Sequence, residues 1–193
     1  MAKTDPESIK REKRKTIKWV VTIFLTTILI SGAISLASDA VMENSSVAAA
    51  FGTLFIIILV GIIFDIIGMA VASADEKPFH SMAARKVPGA QEAIRLLRNA
   101  ERVSSICNDV VGDICCVVSG SASATIAVLI VSGGNFRWPE VLSLVMSALV
   151  AGLTVGGKAI GKTFAVNSCT QIVHMVGRGI HMLKGLAKKK KKR

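Results

Sequence analysis

VAAAFGTLFIIILVGIIFDIIGMAVAS, residues 47–73, carries a single charged side chain, Asp65. At about 1.5 Å rise per residue the stretch spans about 40 Å as a helix, enough to cross a hydrocarbon core. No strand alternation runs through it. Working outward, three more apolar blocks flank it, and the charged residues lie between the blocks. The run from Ile17 to about Ser38 is the first. A third runs from Val103 to Val131, polar at its start and small and apolar after. A fourth runs from Pro139 to about Gly157, and its pattern continues to Val166. The expected fold is therefore all-α: a polytopic membrane protein with four transmembrane helices at about 17–38, 47–73, 103–131 and 139–157.

The composition agrees. The 193 residues are 51% hydrophobic, with no Tyr and four Pro, and the mean hydropathy is +0.55. Segregation of apolar from charged residues is a bilayer signature. The four cysteines, Cys107, Cys115, Cys116 and Cys169, show no metal-ligand spacing and no exported disulfide framework. They read as small apolar residues inside a bundle. A charged segment ahead of a long first run argues for a retained helix over a cleaved signal peptide. No soluble catalytic domain is visible, and an enzyme is not expected.

The connections carry their own signals. Residues 1–16 form a basic amino-terminal segment. An acidic loop with Asp39 and Glu43 follows span one. Lys77-Pro78 and Val87-Pro88-Gly89 read as breakers. Between the second break and span three, residues 88–102 place Ala90, Ala93, Ile94, Leu97 and Ala100 on one stripe, with Arg95, Arg98 and Arg102 off it. That pattern predicts a helix lying in the membrane interface. Ser132 to Asn135 read as a loop, Trp138 as an interfacial anchor and Pro139 as a first-turn residue. Residues 167–187 predict a second amphipathic surface helix, with Ile172, Met175, Val176, Ile180 and Leu183 opposite His174, Arg178, His181 and Lys184. A polybasic tail, 188–193, ends the chain.

The net charge of +11 is distributed by topology. Of 24 Lys and Arg, all but Arg137 fall on one side of the four spans. The positive-inside rule places that side, with both termini, in the cytoplasm of a cell-membrane protein. The lysine tail has no interleaved aromatics, so nucleic acid is not an expected partner. Anionic lipid is.

Three acids lie within spans: Asp65, Asp109 and Asp113. Helical rise places them about 12, 8 and 14 Å inside the same boundary. Asp109 and Asp113 share a helical face at i and i+4. Asn108, Ser119 and Ser123 add neutral oxygens. No Lys or Arg sits in these two spans, so a bound cation or proton is the natural compensation. Oxygen-only ligands suit Mg²⁺, Ca²⁺ or Mn²⁺. The plain alternative is that the acids cap helix ends or pair with the interfacial arginines.

Gly156 to Thr163, GGKAIGKT, matches the phosphate-loop pattern G-x-x-x-x-G-K-[ST]. That loop needs a preceding strand and a surrounding sheet. Here a membrane span precedes it, so the favoured reading is helix packing by the glycines, with Lys158 and Lys162 snorkelling to headgroups.

The segments GMAVASAD (68–75), FHSMAA (79–84) and GAQEAIRLLRNAER (89–102) resemble the transmembrane domain of the cyclin M/CorC magnesium transport family. That family shows an S-G-x-E-x-A-L-x-S span end, then G-A-x-x-A-x-x-L-L-x-N-x-E-R, then an Asn-rich span start. The resemblance covers about a quarter of the chain and does not extend to the family's cytoplasmic regulatory domains. It implies a homodimer with a belt of amphipathic helices and a cation site of polar groups on the transmembrane helices. Asp65 falls where the family has the Ser of S-G-x-E, and Gly68 where it has the Glu. Asp109 and Asp113 fall near its Asn positions. The resulting expectation is a protein that binds or moves a divalent cation, with Mg²⁺ foremost. Its ligands would be Asp65, Asp109, Asp113, Asn108 and Ser119. The alternative is a non-transporting scaffold that docks on another membrane protein or on anionic lipid.

Overall fold

A computed structural model describes residues 6–43, 46–133 and 138–190. Arg137, the second half of the expected 132–135 loop and the last three residues of the tail lie outside the described residues. Among those described, every element is a helix and no strand is present. The protein is an all-α, multi-pass membrane protein. Four helical stretches are long and apolar enough to cross a bilayer: Thr16–Ser38, Val47–Ser73, Ala100–Ser132 and Pro139–Asn167.

Helix α1 runs Pro6–Glu43. It continues through Asp39 and Glu43, where the sequence suggested a loop, because nothing between Ala37 and Glu43 breaks a helix. Helix α2, Val47–Ser73, starts at Ser46, whose side chain accepts from the Ala49 backbone N–H. Such caps satisfy one of the free amides of a first turn. Helix α3, Lys77–Ala84, follows directly. Pro78 occupies its first turn, where the missing N–H costs nothing, so Lys77-Pro78 opens a helix instead of breaking one.

The expected single helix over 88–102 is two. Helix α4, Ala90–Leu97, begins after Gly89, and α5 covers Ala100–Ser105. Arg98 and Asn99 turn between them, and the Asn99 side chain donates back to the Arg95 carbonyl at 3.0 Å. That local bond competes with helix continuation. The apolar stripe is as expected: Ala90, Ala93 and Leu97 are buried. Helix α5 passes without a break into a π-helical segment, Ile106–Gly112, and then α6, Asp113–Ser132. The third span thus opens at Ala100 and not at Val103. Helix α7 holds Pro139–Asn167 in one piece, longer than the 139–157 span expected. Helix α8 follows at Cys169–Lys190.

Helices α2, α6 and α7 form the centre. One core, toward the far end, joins Ala50, Leu54 and Ile58 to Ala122, Ile126 and Val150. Helix α1 leans on α6, with Ile23 and Ile34 packed against Val110, Ile114 and Val118. Its amino-terminal part is tied to α5 by Arg102, whose guanidinium sits 5.2 Å from the Trp19 ring centroid. At that same end a second core gathers Ala70, Val71, Phe79, Ala93, Leu97, Ala165 and Val173. There the ends of α2 and α7 meet α3, α4 and α8 in a belt. Exposed Phe55, Leu144, Leu149 and Ile160 on the span surfaces are what lipid would cover.

Helix α8 is packed along one face onto the belt. It docks on α4, with Val173 and Gly177 buried in the contact. A Cβ on Gly177 would lie 2.5 Å from the Gly89 carbonyl oxygen and 3.0 Å from the Ala93 nitrogen. Gly89 itself has φ +88° and faces the Arg178 backbone. His181 and Lys184 are exposed as expected and also reach Glu92 at 3.5 and 3.7 Å. Glu92 is only 12% exposed. Burial pushes its carboxyl up, but its own backbone N–H, His181 and Lys184 together outweigh this and leave it below the ordinary value. The expected apolar face is thus split: Ile172, Val176 and Ile180 are half-buried, while Met175 and Leu183 stay exposed.

Candidate functional site

The acids occupy the belt end of the central three helices, and they are not left without cations. Asp65 comes from the last third of α2 and is 3% exposed. Asp113 opens α6, and its side chain is 71% exposed. The cations come from α7. Because this helix runs on to Asn167, Lys158 and Lys162 lie beside the acids and do not run out to headgroups as the sequence suggested. Lys162 Nζ stands 3.9 Å from Asp65 Oδ2, and Lys158 Nζ stands 3.6 Å from Asp113 Oδ1. Lys158 also donates to the Gly112 carbonyl at 3.2 Å.

The glycines explain how the lysines reach that depth. A Cβ on Gly161 would lie 2.8 Å from Ile66 Cγ1, and one on Gly157 would overlap Ile62 Cδ1. Helix α7 therefore approaches α2 more closely than any larger residue permits at these two turns. Lys158 and Lys162 each follow one of these glycines. All of Gly156–Thr163 is helical. The phosphate-loop match is thus a packing face with charges beside it, and no anion-cradling loop exists there.

The remaining expected ligands divide. Asn108 lies in the π-helical segment. Its side-chain N–H donates to Ser104 Oγ at 3.3 Å. Its Oδ1 is buried and accepts no hydrogen bond. That oxygen rests on Gly68, where a Cβ would overlap it. Gly68 is one turn from Asp65 on α2. Asp65 Oδ2 is likewise buried with no hydrogen bond. Gly112 stands against both charges: a Cβ there would lie 3.4 Å from Asp65 Oδ1 and 3.5 Å from Lys158 Nζ.

Asp109 and Ser119 are drawn elsewhere. Asp109 accepts from the Ser105 hydroxyl at 2.8 Å and is exposed. Ser119 is buried but donates to the Cys116 carbonyl at 2.8 Å, and Ser123 does the same to Gly120 at 2.7 Å. Among the described residues no three His, Cys, Asp or Glu side chains converge closely enough to hold a metal ion. The contacts tie Lys162 to Asp65, Lys158 to Asp113 and the Gly112 carbonyl, and Asn108 to Gly68, one turn from Asp65. Sequence reasoning missed Lys158 and Lys162 as partners of the acids. The signal was present as the repeated Gly-Lys pair, four residues apart.

The π-helical segment holds both Asn108 and Gly112. A wide turn adds a residue per turn and shifts the register of the helix beyond it. Here it lets Asn108 face Gly68 while Asp113, one residue past its end, faces α7.

No family model, curated protein or solved structure matches the chain.

Proposed function

We propose that this protein binds and transports a divalent cation, with Mg²⁺ the expected ion, at the belt end of α2, the π-helical segment and α7. The observation that carries the reading is the pair of bare oxygens. Asp65 Oδ2 and Asn108 Oδ1 are both buried inside spans, and neither accepts a hydrogen bond. A buried polar atom without a partner is costly and rare. Hard oxygens of this kind suit Mg²⁺, which uses one or two carboxylates and keeps several of its waters. A dedicated cage of three acids is not required for it.

The resemblance of residues 68–102 to the cyclin M/CorC transmembrane domain supports the same reading. With it come a homodimeric assembly in the cell membrane, the belt end and both termini in the cytoplasm, and the polybasic tail on anionic lipid. Asp65 would ligate the ion, Asn108 would add a neutral oxygen, and Asp113 would hold it at the mouth.

The test is calorimetric titration of the purified protein with Mg²⁺ and Mn²⁺, beside the Asp65→Asn, Asp113→Asn double variant. Binding by the wild type and its loss in the variant are expected. No binding by the wild type across the millimolar range would overturn the reading.

The scaffold reading has its own observation: the outward face of α6. Gly120, Ser121 and Ala124 are exposed there, and a Cβ on Gly120 would meet nothing within 4 Å. Small-residue faces allow close helix contact in membranes. Unchanged cation tolerance in the double variant, with a stable co-purifying membrane protein, would favour it.

A further inference from the structure

Asp65, Asp113, Lys158 and Lys162 make a set with no net charge. The two ammonium groups stand where a divalent ion would bring the same two positive charges. We propose that Lys158 and Lys162 are tethered competitors for the cation, holding the site closed until a divalent ion displaces them. The inference rests on the cation-binding reading above and adds how that site is regulated.

Three features support it. First, Asp65 is buried within an apolar span, where an uncompensated carboxylate is not tolerated. Something must balance it when no metal is bound, and Lys162 at 3.9 Å does so. Its distance exceeds a hydrogen bond, so it neutralises without satisfying the oxygen. Second, Lys158 covers two oxygens that a hard cation would use, Asp113 Oδ1 and the Gly112 carbonyl. Its departure frees both at once. Third, the lysines have somewhere to go. Lys162 is already 50% exposed, and Lys158, at 16%, holds its polar contacts through its terminal nitrogen. Long methylene stems let the ammonium groups swing toward the membrane surface while the stems stay in apolar contact.

The glycines make this occupancy a property of helix contact. Gly157 and Gly161 fix α7 against Ile62 and Ile66. Each lysine projects from the residue after its glycine. The competitors are therefore placed by backbone packing and stay beside the site when their charged ends leave it.

The experiment is Mg²⁺ titration of the full-length protein in lipid nanodiscs. The forms are wild type, Lys158→Gln, Lys162→Gln and Lys162→Arg, each first shown to be folded by its thermal melt. Removing a half-exposed competitor tightens binding by about two- to fivefold in Lys162→Gln. Removing the better-buried one tightens it by about tenfold or more in Lys158→Gln. Lys162→Arg keeps the charge and binds no tighter than wild type. If Lys158→Gln does not fold, Lys162→Gln against Lys162→Arg decides alone. Equal or weaker binding in the Gln variants, with the wild type binding, overturns the competition and leaves the cation site standing. No binding by any form removes both.

Discussion

Replacing Gly177 by alanine sets a methyl group into the closest approach between α8 and α4. The ideal Cβ would lie 2.5 Å from the Gly89 carbonyl oxygen, 3.0 Å from the Ala93 nitrogen and 3.2 Å from Ala93 Cβ. All three belong to a helix start that cannot yield locally, so the helices must separate. Overpacking of this kind costs about 1–3 kcal/mol. Alanine also improves helix propensity over glycine by about 1 kcal/mol, and this offsets part of the loss. Gly179, two residues on, provides the control, since its Cβ would meet nothing within 4 Å. The propensity gain is common to both sites and cancels in their difference. Gly177→Ala should therefore be less stable than Gly179→Ala by about 1–3 kcal/mol. For a chain of this size that is a gap of about 2–12 °C in melting temperature. The assay is differential scanning fluorimetry of the two variants in the same detergent. Equal melting temperatures would refute the docking of α8 on α4 and restore a helix lying free along the membrane.

The same junction should respond to pH. The Glu92 carboxyl is held below its ordinary value of 4.5. Its stabilising contribution is then complete above the unfolded value and disappears as pH falls through the lower folded value. Protection of the α8 amides, corrected for the intrinsic exchange rate, should fall below about pH 4.5, and Glu92→Gln should abolish that dependence. At the site, Gly68→Ala would drive a methyl into Asn108 Oδ1, with Asn108 Cγ at 2.8 Å. Mg²⁺ affinity should fall in this variant by about tenfold, the factor expected from losing one neutral ligand of a few. An unchanged Kd would exclude Asn108 from the site. Removing the Arg102–Trp19 contact by Arg102→Gln should lower the melting temperature by about 1–4 °C, the equivalent of a cation–π pair at a partly exposed position. No shift would show that α1 is not held there.

The spans were legible because a bilayer imposes one strong rule: apolar length. Val47–Ser73 and Pro139 as a helix start come from it directly. The stripe of Ala90, Ala93 and Leu97 was legible for a related reason, since it depends on residues one turn apart. The contacts missed join residues far apart in sequence. Lys158 meets Asp113 across 45 residues, and Lys162 meets Asp65 across 97. Near a span end, a lysine read without its partner looks like a headgroup anchor. His181 and Lys184 are exposed as the sequence suggested, but their partner Glu92 lies on another helix and left no local sign. The break at Asn99 and the π-helical segment left no periodic trace. Each coincides with one contact, of the Asn99 side chain with the Arg95 carbonyl and of Asn108 with Gly68. At the site, Asp65 and Asn108 were legible as polar groups in apolar surroundings. That Asp109 and Ser119 spend their hydrogen bonds on neighbours was not.

The Gly-Lys pair of α7 occurs twice at a spacing of four, and this gives the helix a near-repeat along its own axis. A slide of one tetrad, about 6 Å, would bring one pair onto the place of the other against α2. The two directions are not equivalent. Moving Gly157 to Ile66 would carry Leu153 onto Ile62, where even a methyl group has no room. Moving Gly161 to Ile62 would bring Ala165 to Ile66, where a Cβ would lie 2.8 Å from Cγ1. The flanking residues act as stops on a two-toothed rack: a leucine blocks slip one way, a single methyl resists it the other, and the helix is held at one register.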